Sequence, residues 1–196
     1  TGGLFACPLS PELSDCWRVP IDEGVDPQRE SKENQWLGVS VKSQGPGGKI
    51  VVSAGAWRGD TGDILKGGVP ARCDPPPVPP QTCAHRYKGL AAAFSPDRRY
   101  VLLGAPGTYN WKGLLFVTNI ESAAPDQRVF RTPEPGERVP GAAADVAHNS
   151  YLGFSVDSGA GLTRPQQLSF VTGAPRANHT GAVVILRRDS ANRLVA

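Results

Sequence analysis

Few residue sets in this chain are spaced for chemistry, and each can be weighed on its own terms. Asp60 and Asp63 place two carboxylates around Thr61-Gly62, far short of the roughly six to eight oxygens that calcium takes. His85, His148 and His179 lack the i, i+4 or short-range pairing of a metal site. Each is read as a structural or surface side chain. No G-x-S-x-G nucleophile elbow and no G-x-x-x-x-G-K phosphate loop occurs. Gly45-Pro46-Gly47-Gly48-Lys49 is glycine-rich ahead of a lysine, but its proline and short spacing mark an ordinary turn. No catalytic residue, no metal ligand and no cofactor is expected in this segment, and the chain reads as a non-enzyme.

Covalent and recognition chemistry is better represented. Of the four cysteines, Cys7, Cys16, Cys73 and Cys83, none forms a C-x-x-C pair, which argues against zinc or redox use. Cys7 and Cys16 close a short loop that Pro8 and Pro11 keep out of helix, so a local disulfide in an oxidising compartment is expected. Asn178-His179-Thr180 is an N-x-T glycosylation acceptor; the same asparagine beside Gly181 suits a turn, and both roles can hold together. Tyr109-Asn110-Trp111-Lys112 offers two rings and an amide suited to a half-buried protein contact. The competing reading packs Trp111 between neighbouring sheets.

The elements that must carry these residues are β-strands. Glycine (23) and proline (19) supply 42 of the 196 residues, well above the roughly 12% of average usage. Helix interiors tolerate neither, so a helical bundle is excluded. Hydrophobic residues make up 39% of the chain, enough to bury a core. The net charge of +3 is spread without a basic block, which gives no reason to expect nucleic acid. No apolar run approaches the ~20 residues of a membrane span, so this segment itself should make no membrane contact. Methionine is absent, and Thr1 therefore reads as an internal position of a longer chain.

Repeats organise the rest. WLGVSVKS (36–43), LAAAFSPD (90–97) and YLGFSVDS (151–158) align on Ser40, Ser95 and Ser155. A second motif follows: VLLGAPGTYNWKGLLFV around Gly104, SFVTGAPRANHTGAVVIL around Gly173, and a degraded IVV…TCAHRYKGL around Cys83. The opening TGGLFACPL matches the tail of a further copy. Each second motif predicts a hairpin: a strand (Tyr100–Leu103 or Leu168–Thr172) stopped by Gly-Ala-Pro, a short loop, then a return strand (Leu114–Val117 or Ala182–Leu186) begun by Gly113 or Gly181. Glycine at both shoulders provides positive φ or close backbone approach. Small antiparallel sheets repeated about every 60 residues point to blades stacked in a radial array.

The pair Φ-G-x-S-V…Φ-G-A-P resembles the FG-GAP repeat of integrin alpha-subunit propellers. NQWLGVSVKSQGPGGKIV, CAHRY, LLGAPGTYNWKG and GAPRANHTGAVVILRRDS resemble the laminin-binding members. The resemblance covers nearly all of the chain outside 52–81. It implies an all-β fold, part of a seven-bladed β-propeller of antiparallel blades. Residues 1–35 would end the first blade, 36–89 form a truncated blade with 52–81 inserted, 90–150 form the next, and 151–196 start the following one. It also implies an integrin beta subunit and laminin as partners, calcium only in later blades, and the extracellular portion of a single-pass plasma-membrane protein. Tyr109 to Lys112 would then lie on the blade face that meets ligand or the beta subunit. Leu114 to Gly159 resembles an alternatively spliced inter-blade segment of this family.

Two departures from the family pattern stand out. In the family GKIV continues directly into TCAHRY, so residues 52–81 intervene between Val51 and Thr82. They start Val-Ser and end in a proline run closing on Gln81, as a translated intron would. An exon spanning 52–81 in the coding DNA would refute that reading. CAHRY should also be followed by some tens of residues, where only Lys88, Gly89 and Leu90 precede AAAFSPD. The outer strands of that blade are therefore expected to be missing, and Cys83 to have lost its partner, with Cys73 as an opportunistic substitute. The alternative function is accordingly a mis-spliced or truncated product without autonomous ligand binding. A third reading makes Arg58-Gly59-Asp60, a tripeptide several integrins bind, into a ligand on a flexible loop; chance occurrence in a Gly/Arg-rich insertion is preferred.

Overall fold

Each Gly-Ala-Pro ends one strand, and the glycine after the loop precedes the next, as the hairpin reading expects. The computed structural model describes residues 2–20, 30–31, 37–46, 48–53, 58–59, 90–121, 129–140 and 146–196. Cys73, Cys83, Asp60, Asp63, His85 and the prolines of 75–80 lie outside the described residues. Fourteen strands occur among those described: β1 Leu4–Ala6, β2 Trp17–Val19, β3 Glu30–Ser31, β4 Ser40–Ser43, β5 Ile50–Ser53, β6 Arg58–Gly59, β7 Ala91–Phe94, β8 Tyr100–Gly104, β9 Leu115–Asn119, β10 Val129–Arg131, β11 Ser155–Ala160, β12 Leu168–Ala174, β13 Ala182–Arg188 and β14 Leu194–Val195. Two four-stranded antiparallel meanders, β7-β8-β9-β10 and β11-β12-β13-β14, accompany the pairs β1–β2, β3–β6 and β4–β5. The chain is all-β, in a partial propeller-like arrangement of successive sheets. Residues 151–196, expected only to begin a blade, carry four strands, the last of two residues.

Side chains alternate along each strand, so both faces of the middle sheet are used. Val101 and Leu103 of β8 face β4–β5, burying Val51 and Ala92 with them. Leu102, Leu115 and Val117 point the other way, onto Phe130, Phe170, Leu186 and Leu194. Tyr100 seals that second layer with its ring 6.0 Å from Phe130 and 6.2 Å from Phe170. The Arg188 guanidinium lies 4.1 Å over the Phe130 ring on the outside. Farther along, Leu37 and Val52 pack with Leu4, Val19 and Ile50, joining β1–β2 to β4–β5. Fully burying each such aliphatic or aromatic side chain stabilises by about 1.5–3 kcal/mol.

Three expectations change. First, β5 does not stop at Val51. Val52 and Ser53 complete it opposite Val41 and Ser40, because Val52 is fully buried and the Ser53 hydroxyl lies 3.2 Å from the Ser40 carbonyl and 3.3 Å from that of Leu90. The strand end assigned to Thr82-Cys83 is thus formed by residues of the inserted segment. Second, the repeat copies do not superpose on Ser95. Ser155 pairs with Gly173 and Ser40 with Ser53, whereas Ala91 pairs with Gly104. Ala91 is the equivalent position, four residues earlier. Ser95 instead caps the β7–β8 hairpin, its N–H donating to the Tyr100 carbonyl at 2.9 Å and its hydroxyl bonded to Asp97. Third, Arg58 and Gly59 are strand residues paired with Ser31 and Glu30, not part of a free loop.

Candidate functional site

The loop between β8 and β9 is built on left-handed backbone. Tyr109, Asn110 and Trp111 have φ of 50°, 56° and 56°, and such a conformation costs roughly 1–2 kcal/mol per non-glycine residue. Hydrogen bonds hold it in place. Thr108 is buried, with its hydroxyl donating to the Ala105 carbonyl at 2.8 Å. The Gly113 N–H returns to the Thr108 carbonyl at 3.0 Å. The stretch leading into β11 then clamps the outer side: Asn149, Tyr151 and Leu152 N–H groups donate to the carbonyls of Asn110, Trp111 and Lys112 at 3.4, 2.9 and 2.9 Å. His148 Nδ1 lies 3.3 Å from the Tyr109 carbonyl oxygen.

This clamp sends the four predicted contact residues in different directions. Asn110 is exposed, Tyr109 is half-buried, and Trp111 stands 50% exposed, so the indole does not pack between sheets. Lys112 turns inward. It is 3% exposed, and its ammonium donates to the Pro133 carbonyl at 3.2 Å. It ties the loop to the segment after β10 instead of offering a contact. Burial, and next the neighbouring Glu134 carboxylate, push the Tyr109 phenol above its usual range.

Spacing alone did not reveal several neighbours. Exposed His148 and Asn149 and half-buried Tyr151 flank the loop. Arg176, from the equivalent loop between β12 and β13, stacks 5.6 Å over the Tyr151 ring and donates its backbone N–H to Ser150 at 3.3 Å. Their only sequence signal was the Gly-Ala-Pro repeat, which places Arg176 where Gly107 stands in the previous copy. The second loop repeats the left-handed turn, with φ of 49° at Asn178 and 62° at His179. Asn178, His179 and Thr180 are all exposed. Cys7 and Cys16 are disulfide-bonded. Below the loops, Arg193 bridges Glu137 at 3.2 Å and Asp189 at 2.9 Å, linking the segment after β10 to the β13–β14 turn.

Among the described residues no group of three or more His, Cys, Asp or Glu could hold a metal ion. The surface is therefore one of aromatic rings, amides and a guanidinium, chemistry that suits protein recognition. No protein-family model matches the chain. Integrin alpha-7 of Rattus norvegicus is 54% identical over 219 aligned positions, covering all of this chain and 19% of that protein. Integrin alpha-7 of Homo sapiens is 48% identical over 263 positions, again across all of this chain.

This is an integrin alpha-type sequence. Integrin alpha-6 of Homo sapiens agrees more distantly, 35% identical over 96% of the chain. The integrin alpha-type chain spans about a fifth of the length of the curated relatives it matches. The 263 positions aligned with human alpha-7 exceed the 196 residues present here, so that relative carries stretches without a counterpart in this chain. No described helix is long and apolar enough to cross a membrane.

Proposed function

We propose that this chain is part of the ligand-binding head of an integrin alpha subunit, recognising laminin together with a beta subunit. The head would be a seven-bladed FG-GAP propeller, of which these residues supply a part, on the extracellular side of a single-pass plasma-membrane protein. Calcium would belong to later blades. The reading is carried by Trp111, a half-exposed indole on a strained turn held by three backbone hydrogen bonds from 149–152. A rigid aromatic presented at low entropic cost is the usual anchor of a protein interface. Asn110, Tyr109, His148 and Tyr151 complete the contact surface, and Lys112 holds it from beneath. Glycosylation at Asn178 would decorate the adjacent loop.

The test is binding of the chain, with an integrin beta ectodomain, to immobilised laminin by surface plasmon resonance. Trp111→Ala should weaken binding at least ~10-fold with circular dichroism unchanged. Undiminished binding by that variant overturns the assignment of the surface. A second reading, a truncated product that does not bind by itself, is favoured by one observation. Among the described residues, the β4–β5 sheet has two strands where the next two sheets have four. Absence of binding by the unmutated chain, folded and paired, would decide for it.

A further inference from the structure

Tyr151 joins two features of the loop surface that belong to different sheets. Its N–H donates to the Trp111 carbonyl at 2.9 Å, and its ring carries the Arg176 guanidinium at 5.6 Å. The Tyr151 backbone is left-handed, with φ of 58°, and a bulky residue held there marks the kind of strain that gathers at binding sites. The Arg176 N–H, bonded to the Ser150 carbonyl at 3.3 Å, fixes the root of the arginine side chain. The repeat itself requires no arginine at this position. Its counterpart one sheet earlier is Gly107, where a methyl group would meet nothing within 4 Å. Arg176 leans back onto the stretch that clamps the middle sheet's loop, so its setting is supplied by residues 108–176.

Stacking on a ring occupies the flat face of a guanidinium and leaves its in-plane N–H donors free. Arg99, Arg131 and Arg193 each meet a carboxylate, whereas no ion pair among the described residues uses the exposed Arg176. The three stretches that build the surface, 105–113, 146–153 and 175–181, contain Lys112, His148, Arg176 and His179 but no Asp or Glu. Asp145, one residue before the second stretch, lies outside the described residues. Glu134, the acid that reaches Tyr109, is bonded to Arg131. The donor fork is thus oriented by one ring and joined through Tyr151 to a half-exposed indole. Such a fork matches the two oxygens of a carboxylate. One guanidinium among rings and amides is too little charge for a sulfated polysaccharide, which is held by runs of basic residues. We propose that Arg176 receives an Asp or Glu carboxylate of the protein partner, so that the surface takes an acidic segment whose apolar neighbour covers Trp111. Arg176 thereby extends the recognition surface around Trp111, on which its role rests, and sets the charge of what binds there.

Surface plasmon resonance of the chain, paired with an integrin beta ectodomain, over immobilised laminin provides the test. Arg176→Glu should raise the dissociation constant at least ~10-fold, with circular dichroism unchanged. Binding by the unmutated chain should weaken as salt rises, and Arg176→Gln should flatten that dependence. Tyr151 acts as a positioning residue. Tyr151→Phe should bind as the unmutated chain does, while Tyr151→Leu should weaken binding and lose nothing further in an Arg176→Gln background. Loss with Trp111→Ala but indifference to Arg176→Glu leaves the surface standing and overturns the carboxylate contact. Binding that is absent, or indifferent to both changes, removes the surface itself and this contact with it. Retention of the chain on immobilised heparin, abolished by Arg176→Glu, would assign the guanidinium to a sulfated polysaccharide and overturn the protein carboxylate.

Discussion

Gly104 and Gly153 meet backbone to backbone: a methyl group on Gly104 would lie 1.9 Å from the Gly153 carbonyl oxygen. Gly113, at the other shoulder of the same hairpin, would meet the Leu152 carbonyl oxygen at 2.0 Å. The Leu-Gly pair that opens one repeat is therefore seated between the two glycines of the hairpin before it. The contact recurs between the β1–β2 and β4–β5 pairs, where a methyl group on Gly2 would lie 2.0 Å from the Leu37 carbonyl oxygen. The two sequence motifs are halves of one inter-sheet joint.

Gly104→Ala should accordingly cost about 3 kcal/mol, since backbone on both sides must shift. Gly107→Ala is the matched control. That glycine has φ of −85° and no neighbour within 4 Å of a methyl group, so its change should stay within about 0.5 kcal/mol. Urea denaturation midpoints of the two variants check the difference.

Phe130 is the pin between the last two sheets, 1% exposed and shared by Tyr100, Phe170 and Arg188. Phe130→Ala should destabilise by about 3–5 kcal/mol. Phe130→Leu, which keeps most of the volume, should cost under half as much. Thermal melts of both variants distinguish loss of packing from loss of the ring contacts.

Acid should loosen the joint at Arg193. The Glu134 backbone N–H, then the Arg193 guanidinium, hold the Glu137 carboxyl below its usual range. For Asp189, burial pushes upward, but hydrogen bonds from the Arg193 backbone and side chain and from the Ala191 N–H together outweigh it. A depressed folded pKa gives stability that is present above the unfolded value and lost as pH falls through the folded one. Denaturation midpoints should therefore fall below about pH 4. Glu137→Gln with Asp189→Asn should flatten that fall, and an undiminished slope in the double variant would exclude these two groups as its source.

The Cys7–Cys16 disulfide closes a nine-residue separation. Cys7→Ser with Cys16→Ser should cost about 2–3 kcal/mol, mainly by freeing the unfolded chain. Proteolytic mapping without reductant should recover the two cysteines in one linked peptide. Recovery of Cys7 joined to Cys73 or Cys83 would contradict the pairing.

Asn178 should carry an N-linked glycan when the chain is made in a secretory pathway, because the whole acceptor is exposed on a left-handed turn. Glycosidase treatment should then lower the mass of the secreted chain, and Asn178→Gln should abolish that shift. A mass indifferent to both treatments would leave the turn with a conformational role alone.

Much of this architecture was legible before any coordinates. β-rich runs from Tyr100 to Leu103 and from Leu168 to Thr172, stopped by Gly-Ala-Pro, report local chemistry that a strand and its turn share with few other structures. The same locality set the limits of the reading. Aligning the third copy on Ser95 matched residue types, whereas register depends on which carbonyl an N–H meets across the sheet; that partner placed Ala91, not Ser95, opposite Gly104. Lys112 looked like a contact residue because a lysine in a loop ordinarily reaches for water. It is buried because Pro133, 21 residues away, presents a carbonyl to its ammonium.

The sequence by itself determined the class of structure, the hairpin shoulders and the family, since these rest on residue types at short spacing. Tertiary structure decided which face each strand offers, that Val52 and Ser53 complete a strand, and that Trp111 stands in solvent while Lys112 does not. Those outcomes depend on hydrogen bonds and packing between segments far apart in the chain, and no local pattern specifies a partner that distant.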